Sequence, residues 1–171
     1  MMALNLFNIT VQLNTIILLL LLSMGLSNCA GKAPLQSNGA APALPLLQFQ
    51  RAPCYGTCPA YEATILKDGS ITLVSWGHIS VPENDTVQLH MPKPELDKLK
   101  ADIAALNYTL LEDAYLTRWT DWPSTYLTFY EDGKAVKRIK HQEGGPEALK
   151  NLHKELHETI MALLKDHPKK H

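Results

Sequence analysis

Two Asp-Gly pairs, Asp68-Gly69 and Asp132-Gly133, each stand between two runs of β-type residues, and each unit leads on to a Pro-Glu step and a helical pattern. No other feature limits the fold so strongly. In the first unit Tyr61, Ala63 and Ile65 alternate with Glu62 and Thr64, and Ile71 to Trp76 returns rich in β-branched and aromatic residues. Period-two alternation closed by Asp-Gly predicts a hairpin. In the second, Thr125 to Tyr130 and Ala135 to His141 flank Asp132-Gly133. Helices are predicted from Pro94-Glu95, with Leu96, Leu99, Ile103 and Leu106 on one stripe, and from Gly144-Gly-Pro-Glu147, with Leu149, Leu152, Leu156, Ile160 and Leu163. Proline in the first turn and an acid near the positive dipole end suit both starts. After Gly77 and the Val81 to Asp85 loop, Val87, Leu89 and Met91 alternate with polar residues, which predicts a third strand over Thr86 to Met91. Tyr108 to Trp122 is irregular.

Neither half can bury its apolar face alone, so the repeated ββα unit predicts an α+β fold. The expected architecture is a two-layer sandwich: an antiparallel sheet of four to five strands with both helices on one face. The other sheet face is left open, with Trp76, Tyr126 and Tyr130 placed on it. The 171 residues, less a leader, suffice for one domain with an adequate core.

The N-terminal third reads as delivery. Ile16 to Leu22 is an unbroken Ile/Leu run closed by Ser23-Met-Gly-Leu-Ser-Asn-Cys29. That is a signal-peptide pattern, over 1–28, and the run is shorter than the ~20 residues that span a bilayer. Leu26-Ser27-Asn28-Cys29 resembles the lipobox of bacterial lipoproteins, with Asn28 where Gly, Ala or Ser is usual. The resemblance implies that Cys29 is acylated and becomes the mature N-terminus. Ala30 after it resembles the class passed on to the outer membrane, which places the protein in the cell envelope, facing the periplasm. Residues 29–47, rich in Ala and Pro, read as a tether, 48–165 as a single α+β domain and 166–171 as a disordered tail. Three cysteines in an exported chain leave an odd one, and lipidation of Cys29 removes the oddity.

Cys54 and Cys58 then form an even pair in an oxidising compartment. Residues four apart lie about 13 Å apart in an extended chain, so the two can pair only across a tight turn. Gly56 and Pro59 suit that turn. A structural bridge is the first reading. The alternative is a periplasmic thiol-redox or copper-binding protein, since Cys-x-x-x-Cys-Pro is similar to the copper motif of Sco-type chaperones. There, however, the motif precedes a helix, whereas Tyr61 onward reads as a strand.

The run Arg51-x-x-Cys54-Tyr-Gly56-x-Cys58-Pro59-x-Tyr61, followed by Asp68-Gly69, is similar to the bacterial family called domain of unknown function 6438. The likeness extends from about Phe49 to Leu164 through Pro94, the Tyr115 region, Thr120-Asp121-x-Pro123 and the Gly-Pro-Glu before the last helix. It implies this domain type, often found on lipoproteins, and no particular chemistry.

Other candidate groups are few. Arg51 and Asp121 are candidates to pair and fix the stapled turn onto the second half, with Asp121 capping the turn before Trp122-Pro123 as the alternative. Tyr115, Trp119 and Trp122 form either a secondary core, the favoured reading, or a ligand-facing patch. His153 and His157, one helical turn apart, read as surface residues, with a two-ligand metal role as the alternative. Ser124 and the histidines offer no nucleophile elbow or triad spacing. With 16 Lys and Arg against 17 Asp and Glu there is no basic stripe for phosphate backbones, so nucleic acid is excluded as a partner. The expected protein is a non-enzymatic envelope lipoprotein without cofactor. It is held to the membrane by its lipid and presents a binding module to an envelope protein or cell-wall partner.

Overall fold

A computed structural model describes residues 42–119 and 121–167. The leader, Cys29 and most of the tether therefore lie outside the described residues, as do Thr120 and the tail from residue 168. In chain order the elements are β1 (Pro45–Arg51), β2 (Ala60–Leu66), β3 (Ser70–Gly77), β4 (Thr86–His90), α1 (Lys93–Leu106), a 3-10 turn (Tyr108–Leu110), β5 (Ala114–Tyr115), β6 (Thr125–Glu131), β7 (Lys134–His141) and α2 (Glu147–Asp166). Among the described residues no helix is long and apolar enough to cross a membrane.

Both expected hairpins form. Asp132 and Gly133 both take positive φ, +46° and +79°, between the paired residues Glu131 and Lys134, as a two-residue hairpin loop requires. The β2–β3 loop is one residue longer and ends on Gly69 at φ +91°, where an added Cβ would stand 2.8 Å from the carbonyl oxygen of Met91. Only glycine fits there. Asp68 Oδ1 accepts the Ser70 N–H at 2.9 Å and steadies the turn.

The sheet departs from expectation in number and sense. It has seven strands in the order β4-β3-β2-β1-β6-β7-β5, mostly antiparallel, but β5 runs parallel to β7. The ββα repeat is accordingly inexact: β4 intervenes between hairpin and helix in the first half and has no counterpart in the second. Two strands were not foreseen. β5 has two residues, too few for any period. β1 occupies the centre of the sheet and includes three residues of the stretch read as tether, Pro45, Leu46 and Leu47. Its inward side chains are few, and its partners are distant in sequence: Phe49 lies opposite Ala63 on β2 and Leu127 on β6. β1 is thus the seam between the halves.

One face of this sheet carries Leu47, Phe49, Tyr61, Ala63, Ile65, Ile71, Leu73, Leu127, Phe129 and Ile139, all but shut off from solvent. The stripes of α1 and α2 enter the same cluster, so both helices cover that face. Burying each large aliphatic or aromatic side chain is worth about 1.5–3 kcal/mol, which makes this interface the main source of stability. α1 stops where Asn107 turns left-handed at φ +47°. Tyr108 then stacks on Phe129, ring centroids 4.1 Å apart, and donates to Glu131 at 2.7 Å, tying the irregular stretch to β6. On the opposite face lie the half-buried Trp76, between buried Ser75 and Gly77, and the half-buried Tyr126, over whose ring Arg138 lies at 4.7 Å. α2 continues through Asp166, the first residue assigned to the tail.

Candidate binding cleft at the seam

β1 ends on Arg51, and its position follows from the register: Arg51 lies opposite Tyr61 on β2 and Thr125 on β6. The next residue, Ala52, donates its N–H to Ser124 O at 2.8 Å, which fastens the exit of β1 to the entry of β6. The chain then makes the tight turn that places Cys54 and Cys58 at bridging distance, with Cα atoms 5.8 Å apart. Within it Gly56 donates to Cys54 O at 2.9 Å, and Tyr55 projects fully into solvent.

Arg51 borders two adjoining hollows, together with Thr125 and His141. The smaller, about 130 Å³, is completed by Cys58, Trp122, Ser124 and Gln142 among others. Gln142 organises its wall, donating to Trp122 O and Ser124 Oγ, both at 3.2 Å. The larger, about 320 Å³, opens toward α2 and adds Lys150, His153, Lys154, His157 and Glu158. These recur three and four residues apart and so share one helical face.

Beneath the larger hollow, rings form a continuous packed line. Tyr115 meets His141 at 6.1 Å between centroids, His141 meets His153 edge-on at 4.8 Å, and His153 meets Phe49 at 6.1 Å. Tyr61 touches Phe49 edge-on and stacks on His157, whose Nδ1 lies 3.0 Å from the tyrosine hydroxyl. With that hydroxyl donating, Nδ1 accepts and the His157 proton sits on Nε2. Burial pushes the Tyr61 phenol well above its usual range, with the Arg51 charge pulling weakly the other way, so Tyr61 stays protonated. Burial, then the charges of His141 and Arg51, depress His153 to about 3. His157 is lowered by burial and Arg51 against the opposing pull of Glu158. At neutral pH the Arg51 guanidinium therefore stands beside a protonated Tyr61 and the neutral rings of His153 and His157.

Several expected site residues fall differently. His153 is not on the surface but 7 % exposed, because α2 meets the end of the sheet there rather than solvent. His157 is held by Tyr61, and among the described residues no three His, Cys, Asp or Glu side chains are grouped to hold a metal ion. Trp119 and Trp122 are 70 % and 49 % exposed and so do not make a secondary core. Tyr115 alone packs inward, its ring against Gly145, where an added Cβ would stand 3.0 Å from it. The Arg51 charge acts on Tyr61, His153 and His157. His141, Lys150 and Lys154 were missed altogether.

Residues 45–160 match the family model described as Domain of unknown function (DUF6438). The chain belongs to this family. The DUF6438 match opens at the first residue of β1 and closes within α2, so it takes in every residue that lines the two hollows. No curated protein matches the chain.

Proposed function

We propose that this DUF6438 protein is a lipid-anchored lipoprotein of the cell envelope whose domain is a non-enzymatic binding module. It faces the periplasm from the outer membrane and engages an envelope protein or a cell-wall component. The observation that carries the binding role is the hollow in which Trp122, half in solvent, stands beside Arg51 and Cys58. Exposed tryptophan and arginine at a recess are the residue types that dominate recognition energetics. Tyr61, fully buried with its protonated hydroxyl on His157 Nδ1, and neutral His153 suit a rigid recognition surface rather than a nucleophile open to a substrate. In this reading Cys29 carries the lipid, and the Cys54–Cys58 bond stiffens the rim without performing chemistry.

Cell fractionation with thiol titration tests it. Wild type is expected in the membrane fraction, with Cys54 and Cys58 oxidised when purified without reductant. Cys29→Ser is expected to accumulate as precursor or leave that fraction. A Cys29→Ser protein that keeps both the wild-type mass and its membrane partition would remove the lipid anchor. Two free thiols holding copper would replace the binding module by the thiol or copper protein.

A further inference from the structure

We propose that the larger hollow, between the Arg51 end of the sheet and α2, binds an oxyanion: the carboxylate or phosphate group of a small ligand, seated on the Arg51 guanidinium. This deepens the binding-module reading by naming the chemistry of its ligand. The lining sets three permanent cations, Arg51, Lys150 and Lys154, against one carboxylate, Glu158. Lys150 also pairs with Glu147 at 2.5 Å, and Lys154 is exposed. A half-buried guanidinium presents a planar fork of donors that matches carboxylate and phosphate oxygens, and partial burial strengthens that attraction relative to water.

Two buried atoms point to the same conclusion. Arg51 Nε and His153 Nε2 are shut off from solvent without any hydrogen-bond partner. Leaving a buried polar group unpaired typically costs about 1–3 kcal/mol, and an apolar pair would fill the same space without that penalty. Arg51 and His153 both line the hollow, and His153 is 7 % exposed. A stability role alone does not account for a guanidinium and an unsatisfied imidazole at the point where the two halves meet. An anion seated on the outer nitrogens of the Arg51 fork does, because it supplies the counter-charge to a guanidinium whose Nε has no partner. Neutral His157, its Nδ1 taken by Tyr61, adds an Nε2–H donor to the wall.

The test uses the full-length chain in detergent at pH 7.5, titrated with inorganic phosphate or with acetate against chloride at constant ionic strength. Thermal unfolding is the readout. At least one oxyanion is expected to raise Tm in a saturable manner that chloride does not reproduce. Phosphate alone would assign a phosphoryl ligand, acetate alone a carboxylate, and both a general oxyanion seat. Arg51→Gln is expected to abolish the saturable rise. Lys154→Glu, at an exposed position, should fold as wild type yet weaken the apparent affinity at least tenfold, while Lys134→Gln at the far end of β7 from His141 leaves it unchanged. No rise beyond chloride with either anion, or equal saturation in wild type and Lys154→Glu, overturns the proposal. Because the readout is on purified protein, its failure is distinct from a failure of anchoring at Cys29.

Discussion

The two hairpin–helix halves share a plan and differ in what they place on its inner side. In the first, β3 sends Ile71 and Leu73 inward, β4 adds Leu89, and α1 meets them with Leu96 and Leu99, all buried. In the second, the inner side of β7 passes from the half-buried Lys137 through buried Ile139 to the half-buried His141, and α2 presents His153 and His157 among its leucines. One half is a core. The other gives up part of its core to polar groups that gather around Arg51, the last residue of the seam strand. The two halves thus divide the labour: apolar burial in the first supports the fold, while most of the polar groups of the site come from the second.

The largest effect that tests this division comes from truncating the first half. Ile71→Ala removes a fully buried side chain between two strands and should cost about 2–5 kcal/mol in chemical denaturation, without altering the oxyanion-dependent Tm shift of the protein that remains folded. Loss of that shift alongside the stability would show that the halves are not separable in this way.

The halves also differed in how well they could be read. Asp-Gly turns, alternation in β2 and β4, and the leucine stripes of both helices announce themselves locally, and both hairpins and both helices stand where those signals place them. The seam strand did not, because a central strand is defined by partners far away in sequence, and Pro45 at its start resembles the Ala/Pro stretch before it. The cleft was half legible. Arg51, the cysteine pair and Trp122 stood out as a motif, but Lys150, Lys154 and the histidines of α2 look like the ordinary solvated side of an amphipathic helix. The usable signal was their spacing. Lys150, His153, Lys154, His157 and Glu158 form a second stripe beside the leucines, on the flank that meets the sheet end.

An intermediate effect is expected from acid. His153 has its folded pKa near 3, below the ordinary 6.5, so the unfolded chain takes up a proton that the folded chain refuses. Its contribution is complete above pH 6.5 and is lost progressively as the pH falls toward 3. At 1.36 kcal/mol per unit, the loss by pH 4 is about 3 kcal/mol. His157 titrates in the same direction. The groups facing His153 are Arg51 from β1, His141 from β7 and, along α2 itself, Lys150, Lys154, His157 and Glu158. Equilibrium unfolding at a series of pH values should therefore show a slope that His153→Leu reduces, leaving the smaller part due to His157. An unchanged slope would mean that His153 is already protonated or solvated in the folded protein, and the second half would lose its buried titrating group.

The smallest effect concerns the staple on the seam. The Cys54–Cys58 loop is short, so a bond across it removes little freedom from the unfolded chain: about 2 kcal/mol in the chain-entropy account. The double variant Cys54→Ser, Cys58→Ser should then melt several degrees below wild type while keeping its circular dichroism, because β1 is already fixed by β2 on one side and β6 on the other. Its second consequence is more selective. Cys58 lines only the smaller hollow, with Trp122, whereas Lys150 and Lys154 line only the larger. Loss of the bond should thus loosen the tryptophan side of the recess, seen as a change in quenching of Trp122 fluorescence with Trp76 and Trp119 replaced by Phe. The oxyanion response on the α2 side should persist. Were that response lost together with the bond, Arg51 would owe its position to the staple rather than to the sheet register, and the two hollows would form one site.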